Sequence, residues 1–112
     1  MVQRIGDDTL KIGNSKVKFK HPIKKYLKTK ETIIVLLDVP VNEHNNRNVL
    51  GINHSGHQLW EIEPVIDPSE RSSHYTNIVE REGEIWALNW RGDEYCLAPE
   101  TGEVLKKQFR RF

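Results

Sequence analysis

The chain has almost none of the residues that staple or ligate. One cysteine, Cys96, stands among 112 residues, so no internal disulfide can form, and a reducing, cytoplasmic setting is the expectation. Long apolar runs are also missing. The longest spans residues 33–37, far short of the ~20 residues that a membrane helix requires, so no membrane partner is expected. The first residues, MVQRIGDD, lack the apolar stretch of a secretory signal. No segment has the length and 3.6-residue period of an amphipathic helix. Phosphate-binding Gly-x-x-x-x-Gly-Lys loops, nucleophile elbows and His-Glu-x-x-His zinc motifs are absent as well. No cofactor is expected.

What is present is a polar but globular composition, 29% charged and 37% hydrophobic. At this length the chain reads as one domain, residues 1–112, large enough to bury a core of its own. The net charge of +1 hides a separation. Residues 1–30 carry eight lysines and Arg4 against Asp7 and Asp8. Residues 31–105 carry four arginines against fourteen acids, and the tail adds four more cations. Such polarity fits a nucleic-acid footprint or two parts that neutralise each other across the fold. The near-zero total favours neutralisation.

Strand signals run along the chain. Leu10 and Ile12 alternate with Lys11, and Val17 and Phe19 alternate with Lys16, Lys18 and Lys20. Period two of this kind puts one face in a core and the other in water. The turn residues Gly13-Asn14-Ser15 between them make residues 9–20 a hairpin, and lysines along it discourage pairing with another chain's edge. Residues 22–28 read as a further strand. Residues 32–39, TIIVLLDV, are apolar on both faces and read as a central strand covered on both sides. Pro40 ends it.

One phrase is written twice. NVLGINHSGHQLW (48–60) and EIWALNWRGDEYC (84–96) align with Gly51 on Ala87, Asn53 on Asn89, Gly56 on Gly92 and Leu59 on Tyr95. In each copy a short apolar strand reaches Asn, two residues follow, then Gly, then a second strand. Asn-x-x-Gly suits a turn closed by a residue with positive φ, which glycine adopts without a Cβ penalty. APETGEVL (98–105) reads as a third tip, and Glu82-Gly83 as a two-residue primed turn. The last third is therefore a four-stranded meander over roughly 75–81, 84–89, 93–97 and 103–109. The loop 63–74 contains Asp67-Pro68-Ser69-Glu70, a pattern for one short helical turn.

LNWRGDEYCLAPETGEVL resembles the repeat of quinoprotein-type β-propellers, in which a strand leads through a turn to a second strand, a Thr-Gly turn and a last strand. The likeness covers residues 78–109 and, in part, 49–62. A blade takes ~40–45 residues and a propeller at least four blades, so the chain has room for about two and a half. The quinone-binding and metal-binding residues of those enzymes have no counterpart here. The resemblance thus implies a blade-like meander and none of the enzymology. The fold expectation is all-β: antiparallel meanders forming a two-sheet sandwich or flattened barrel of about eight or nine strands. Sheets left open could instead be covered in a homodimer.

Candidate sites follow from the tips. His54-x-x-His57 could ligate a metal with His44 and His74 nearby, but no cysteine pair supports it, and exposed loop histidines are common. No metal is expected. Cys96 sits within a strand and reads as buried and inert. Ser72, Ser73 and His74 are neighbours in sequence without the surroundings of a triad. Glu61/Glu63 and Glu80/Glu82 share strand faces and read as solvated. Trp60 and Trp86 read as core residues. Trp90 falls inside a tip beside Arg91; such a tryptophan either folds back over the sheet or, if exposed, is the type of residue that anchors interfaces, as Arg91 is. If the copies stack in parallel, His54, Ser55, His57, Trp90, Arg91 and Asp93 converge on one end of the fold.

The functional expectation is a small non-catalytic domain that binds another protein, in the manner of bacterial immunity or accessory proteins. The alternative is nucleic-acid binding through Lys11, Lys16, Lys18 and Lys20, continued by Lys24, Lys25, Lys28 and Lys30. An enzyme whose pocket is assembled from loops is the third reading.

Overall fold

The computed structural model describes residues 1–40, 43, 46–63, 74–90 and 92–108. Within them run eleven strands: β1 (Val2–Gly6), β2 (Thr9–Ile12), β3 (Ser15–Lys18), β4 (Ile23–Lys28), β5 (Thr32–Leu37), β6 (Val49–Asn53), β7 (Gln58–Glu61), β8 (Tyr75–Arg81), β9 (Glu84–Asn89), β10 (Glu94–Leu97) and β11 (Val104–Gln108). They form three antiparallel meanders, β1–β3, β4–β7 and β8–β11, in which neighbours in sequence are neighbours in the sheet. The all-β expectation holds. None of the three sheets closes on itself among the described residues, so the arrangement is a sandwich, with a third layer added to the expected two.

The added layer owes much to β1, which the sequence reading passed over. Four of its five residues are exposed, so it carries no alternation of buried and solvated positions. The helical turn expected at 67–70 lies outside the described residues.

Why there are three layers follows from β5. All six of its residues are buried. Ile33, Val35 and Leu37 pack with Leu10, Ile12, Phe19 and Ile52 on the side of the first sheet. Ile34 and Leu36 pack with Val49, Ile62, Tyr75, Ile78 and Leu97 on the side of the third. A strand buried at every position must be covered on both faces, and β5 places the second sheet in the middle. The turns agree with the residues that form them. Glu82 and Gly83, with φ of 51° and 80°, make the primed turn expected between β8 and β9, whose twist matches that of the flanking strands.

The duplicated phrase is a duplicated hairpin, with one irregularity. In the second copy Ala87 pairs with Tyr95 and Leu88 with Glu94. In the first, Ile52 pairs with Gln58 but Gly51 pairs with Trp60, so Leu59 is an extra residue. This bulge turns Leu59 out to solvent, 46% exposed, and places Trp60 where the second copy has Tyr95. Trp60 then lies flat on Gly51 and against Gly102 of the β10–β11 turn. A Cβ on either glycine would fall inside the indole. The Trp60 Nε1 donates to the Pro99 carbonyl at 2.8 Å, so this one side chain fastens the second sheet to the third.

Asn48 makes a second fastening. It is fully buried, and its Nδ2 donates to the carbonyls of Leu37 (2.9 Å) and Tyr75 (2.8 Å). Its Oδ1 accepts from the Tyr75 amide at 2.9 Å. A buried amide side chain is tolerated when its groups are paired in this way.

Candidate functional site

The two Asn-x-x-Gly tips share three equivalent hydrogen bonds. At the first, the Gly56 amide donates to the Asn53 carbonyl (3.0 Å) and the Asn53 amide to the His57 carbonyl (2.9 Å). The Asn53 Oδ1 accepts from the amides of Ser55 (3.0 Å) and His57 (2.9 Å). At the second, the Gly92 amide donates to the Asn89 carbonyl and the Asn89 amide to the Asp93 carbonyl, both at 3.0 Å. The Asn89 Oδ1 accepts from the Asp93 amide at 3.0 Å. Gly56 and Gly92 have φ of 87° and 88°. An asparagine side chain that holds the loop ahead of it, and a glycine that takes the left-handed conformation, explain why the sequence repeats these two residues at this spacing.

The tips do not converge. Asn48, at the start of β6, binds Tyr75, and Tyr75 is the β-sheet partner of Asn89, immediately before Trp90. The second tip therefore lies at the Asn48 end of β6, whereas His54 follows the other end of that strand. Trp90 and Asp93 are on one end of the fold and His54, Ser55 and His57 on the opposite one. The first tip instead meets the first sheet: the Ser15 Oγ donates to the Ser55 carbonyl at 3.3 Å. The expectation of one end carrying both tips is corrected, because the copies stack with their tips pointing in opposite directions.

Trp90 is 52% exposed on its tip, while Trp60 and Trp86 are buried as expected. Asp93 is half-buried, and His54 and His57 are exposed. Arg91 lies outside the described residues, as do His44, Ser72 and Ser73. Among the described residues no three His, Cys, Asp or Glu side chains gather as a metal-binding group.

The four lysines of the alternative reading are all exposed. Lys11 on β2 stands directly opposite Lys16 on β3, and Lys18 opposite Thr9. These residues alternate with Leu10, Ile12 and Val17, which pack inward, so Lys11, Lys16 and Lys18 share the face turned away from the second sheet. Lys18 and Lys20 also border a shallow groove of about 240 Å³ with Arg47, Gln58 and Glu61, floored by Phe19, Leu37 and Leu50. Among the described residues the four lysines make no ion pair with an acid. Direct contact therefore does not neutralise these four lysines, although Lys106 of the cationic tail does pair with Glu84.

The outer face of the third sheet carries the main cluster of titratable groups. Arg81 makes a bidentate pair with Glu94, at 2.6 and 3.0 Å, and hydrogen bonding to that carboxylate raises the pKa of the guanidinium. In the register Arg81 stands in the row of Glu84, Glu94 in the row of Leu88, and Trp86 between them. The pair thus spans the row of Trp86, which is buried although, among the described residues, no sheet covers this face. Nearby, the hydrogen bond from Lys106 holds the Glu84 carboxyl below its usual range. Burial and the adjoining Glu84 carboxylate push the Cys96 thiol up. A thiol so placed yields little thiolate and is a poor nucleophile. Between the second and third sheets, burial first, then Tyr95 and Glu63, raises the pKa of the Tyr75 hydroxyl, which donates to the Glu63 carbonyl at 2.9 Å.

The sequence reading missed Asn48 and the Arg81–Glu94 pair. Each depends on residues brought together from different strands, and the only sequence signal was a polar residue next to or within an apolar run.

A family model covers residues 2–109, from β1 through β11. The chain belongs to the family described as Domain of unknown function (DUF7957). No curated protein matches it. Among the described residues no helix is long and apolar enough to cross a membrane.

Proposed function

We propose that this domain is a non-catalytic, cytoplasmic protein-binding module whose anchor is the Trp90 tip. The observation that carries the reading is the exposure of Trp90, 52%, on a turn locked by the Asn89 side chain. Most tryptophan side chains in a small domain go to the core, as Trp60 and Trp86 do here. A large amphipathic ring held outward on an ordered turn offers contact area with little left to order on binding, and tryptophan is among the residues that dominate interface energetics. The flanking Arg91 is of the same anchor-forming type. The two histidines of the other tip have no part in this surface, since they lie at the opposite end. The cytoplasmic assignment is supported by a single cysteine that cannot form an internal disulfide.

The test compares wild type with Trp90→Ala and Arg91→Ala in affinity capture from the native cell, with thermal melts of all three proteins. A true anchor costs at least ~2 kcal/mol of binding when truncated, so a partner held by the wild type should be lost. Trp90 is well exposed and such a side chain contributes little to stability, so the Trp90→Ala melt should lie close to that of the wild type, and the Arg91→Ala melt shows whether any loss of capture is a loss of fold. Retention of the same partner by both variants refutes the surface.

A further inference from the structure

We propose that the outer face of the β1–β3 sheet binds nucleic acid through its phosphate backbone, independently of the Trp90 tip. Three observations converge. Lys11, Lys16 and Lys18 share this face, with Lys20 continuing it beyond the end of β3. Lys11 and Lys16 are directly opposed across the strands, a pairing of like charges that works against the sheet. Among the described residues none of the four is compensated by an ion pair.

Protection of a sheet edge does not account for this face. Lysines serve that purpose on edge strands, and Lys16 and Lys18 lie on one. Lys11 lies on β2, the central strand of its sheet, where no edge needs guarding. A repulsive pair left uncompensated in the free protein is explained by a counter-charge that a ligand brings.

The chemistry selects the ligand. Protein interfaces are depleted in lysine and enriched in aromatic residues and arginine, and the exposed tryptophan is on the third sheet, not here. A lysine ammonium is a compact point charge suited to phosphate. Successive lysines on a strand stand about 6.6 Å apart and opposed ones about 5 Å apart, a rigid array of positive charge. Among the described residues of the β1–β3 sheet, Ile5 is the one large apolar side chain well exposed to solvent, at 44%, and no aromatic side chain stands exposed there to stack on bases. Contact is therefore with the backbone, with no preference among sequences.

The experiment measures fluorescence anisotropy of labelled, random-sequence duplex DNA against the full chain, at about 50 and 200 mM salt. Four phosphate contacts give a slope of log K on log salt near −3.6, so affinity should fall roughly a hundredfold between the two conditions. The double variant Lys11→Gln/Lys16→Gln should reduce the steepness of that slope by about two and weaken binding equally on all duplexes. It should melt at or above the wild-type temperature, because the repulsive pair is gone. Lys107→Gln, on β11 of the third sheet, should bind as the wild type does. The proposal is overturned by binding weaker than ~10⁻⁴ M at low salt or by an unchanged slope in the double variant. It is equally overturned if polyglutamate or phosphatidylserine vesicles compete as well as DNA does, since the face would then be built for an acidic protein or a membrane.

Discussion

Replacing Gly56 and Gly92 by alanine, one at a time, separates the two things that a tip glycine does. The backbones are twins, with φ of 87° and 88°, so the conformational penalty is the same in both. Alanine in this region costs about 1 kcal/mol. The surroundings differ. Among the described residues nothing lies within 4 Å of a Cβ added at Gly92, so Gly92→Ala should cost about that amount. A Cβ at Gly56 would lie 2.9 Å from the Ser15 Cβ and 3.3 Å from the Val17 Cγ2. Neither is the free end of a long side chain, so the β2–β3 hairpin must shift. Overpacking of this kind adds roughly 1–3 kcal/mol, for a total of about 2–4 kcal/mol at Gly56. Urea unfolding measures both, and with m-values of about 1–3 kcal/mol/M the midpoints should separate clearly while m stays constant. The sites lie at opposite ends of the fold, so the double variant should lose the sum of the two. Equal losses at Gly56 and Gly92 would refute the packing of the first sheet on the first tip. No loss at Gly92 would refute the left-handed turn itself.

Asn48→Ala removes three buried hydrogen bonds and strands the Tyr75 amide; at about 1 kcal/mol each the loss should be near 3 kcal/mol. Asn48→Asp keeps the acceptor but places a carboxylate against two carbonyls, and should fare no better. A urea-measured loss under about 1 kcal/mol in Asn48→Ala would contradict the role given to it. Tyr75 predicts a pH dependence. Its folded pKa is raised above the unfolded value of about 10, so the folded state holds the proton more tightly. The resulting stability is complete below pH ~10 and is lost as the pH climbs through the folded value. Urea midpoints should therefore fall more steeply above pH ~10 in the wild type than in Tyr75→Phe; parallel curves would show that the buried hydroxyl does not contribute.

Much of this architecture is local, and the sequence by itself determined it. Alternation at 9–20, the doubly apolar run at 32–37 and the Asn-x-x-Gly, Glu-Gly and Thr-Gly turns each depend on residues a few positions apart. Side-chain direction and turn conformation are set at that range, so strands β2 to β11 and the equivalence of the two hairpins were legible. The place of Trp90 on a tip was legible for the same reason; its exposure was not, because a tryptophan at a tip can also fold back over its sheet. Tertiary structure decided what those elements do to one another. Nothing local says that Leu59 bulges out so that Trp60 can lie between Gly51 and Gly102, or that Asn48 joins Leu37 to Tyr75. Nor does it say that the tips of two like hairpins point to opposite ends, which removed His54 and His57 from the surface of Trp90. The opposition of Lys11 and Lys16 appears only once the strands are paired. A face needing cover is written every second residue, but the choice and direction of the covering sheet come from many weak contacts between distant parts of the chain, and no short stretch contains that sum.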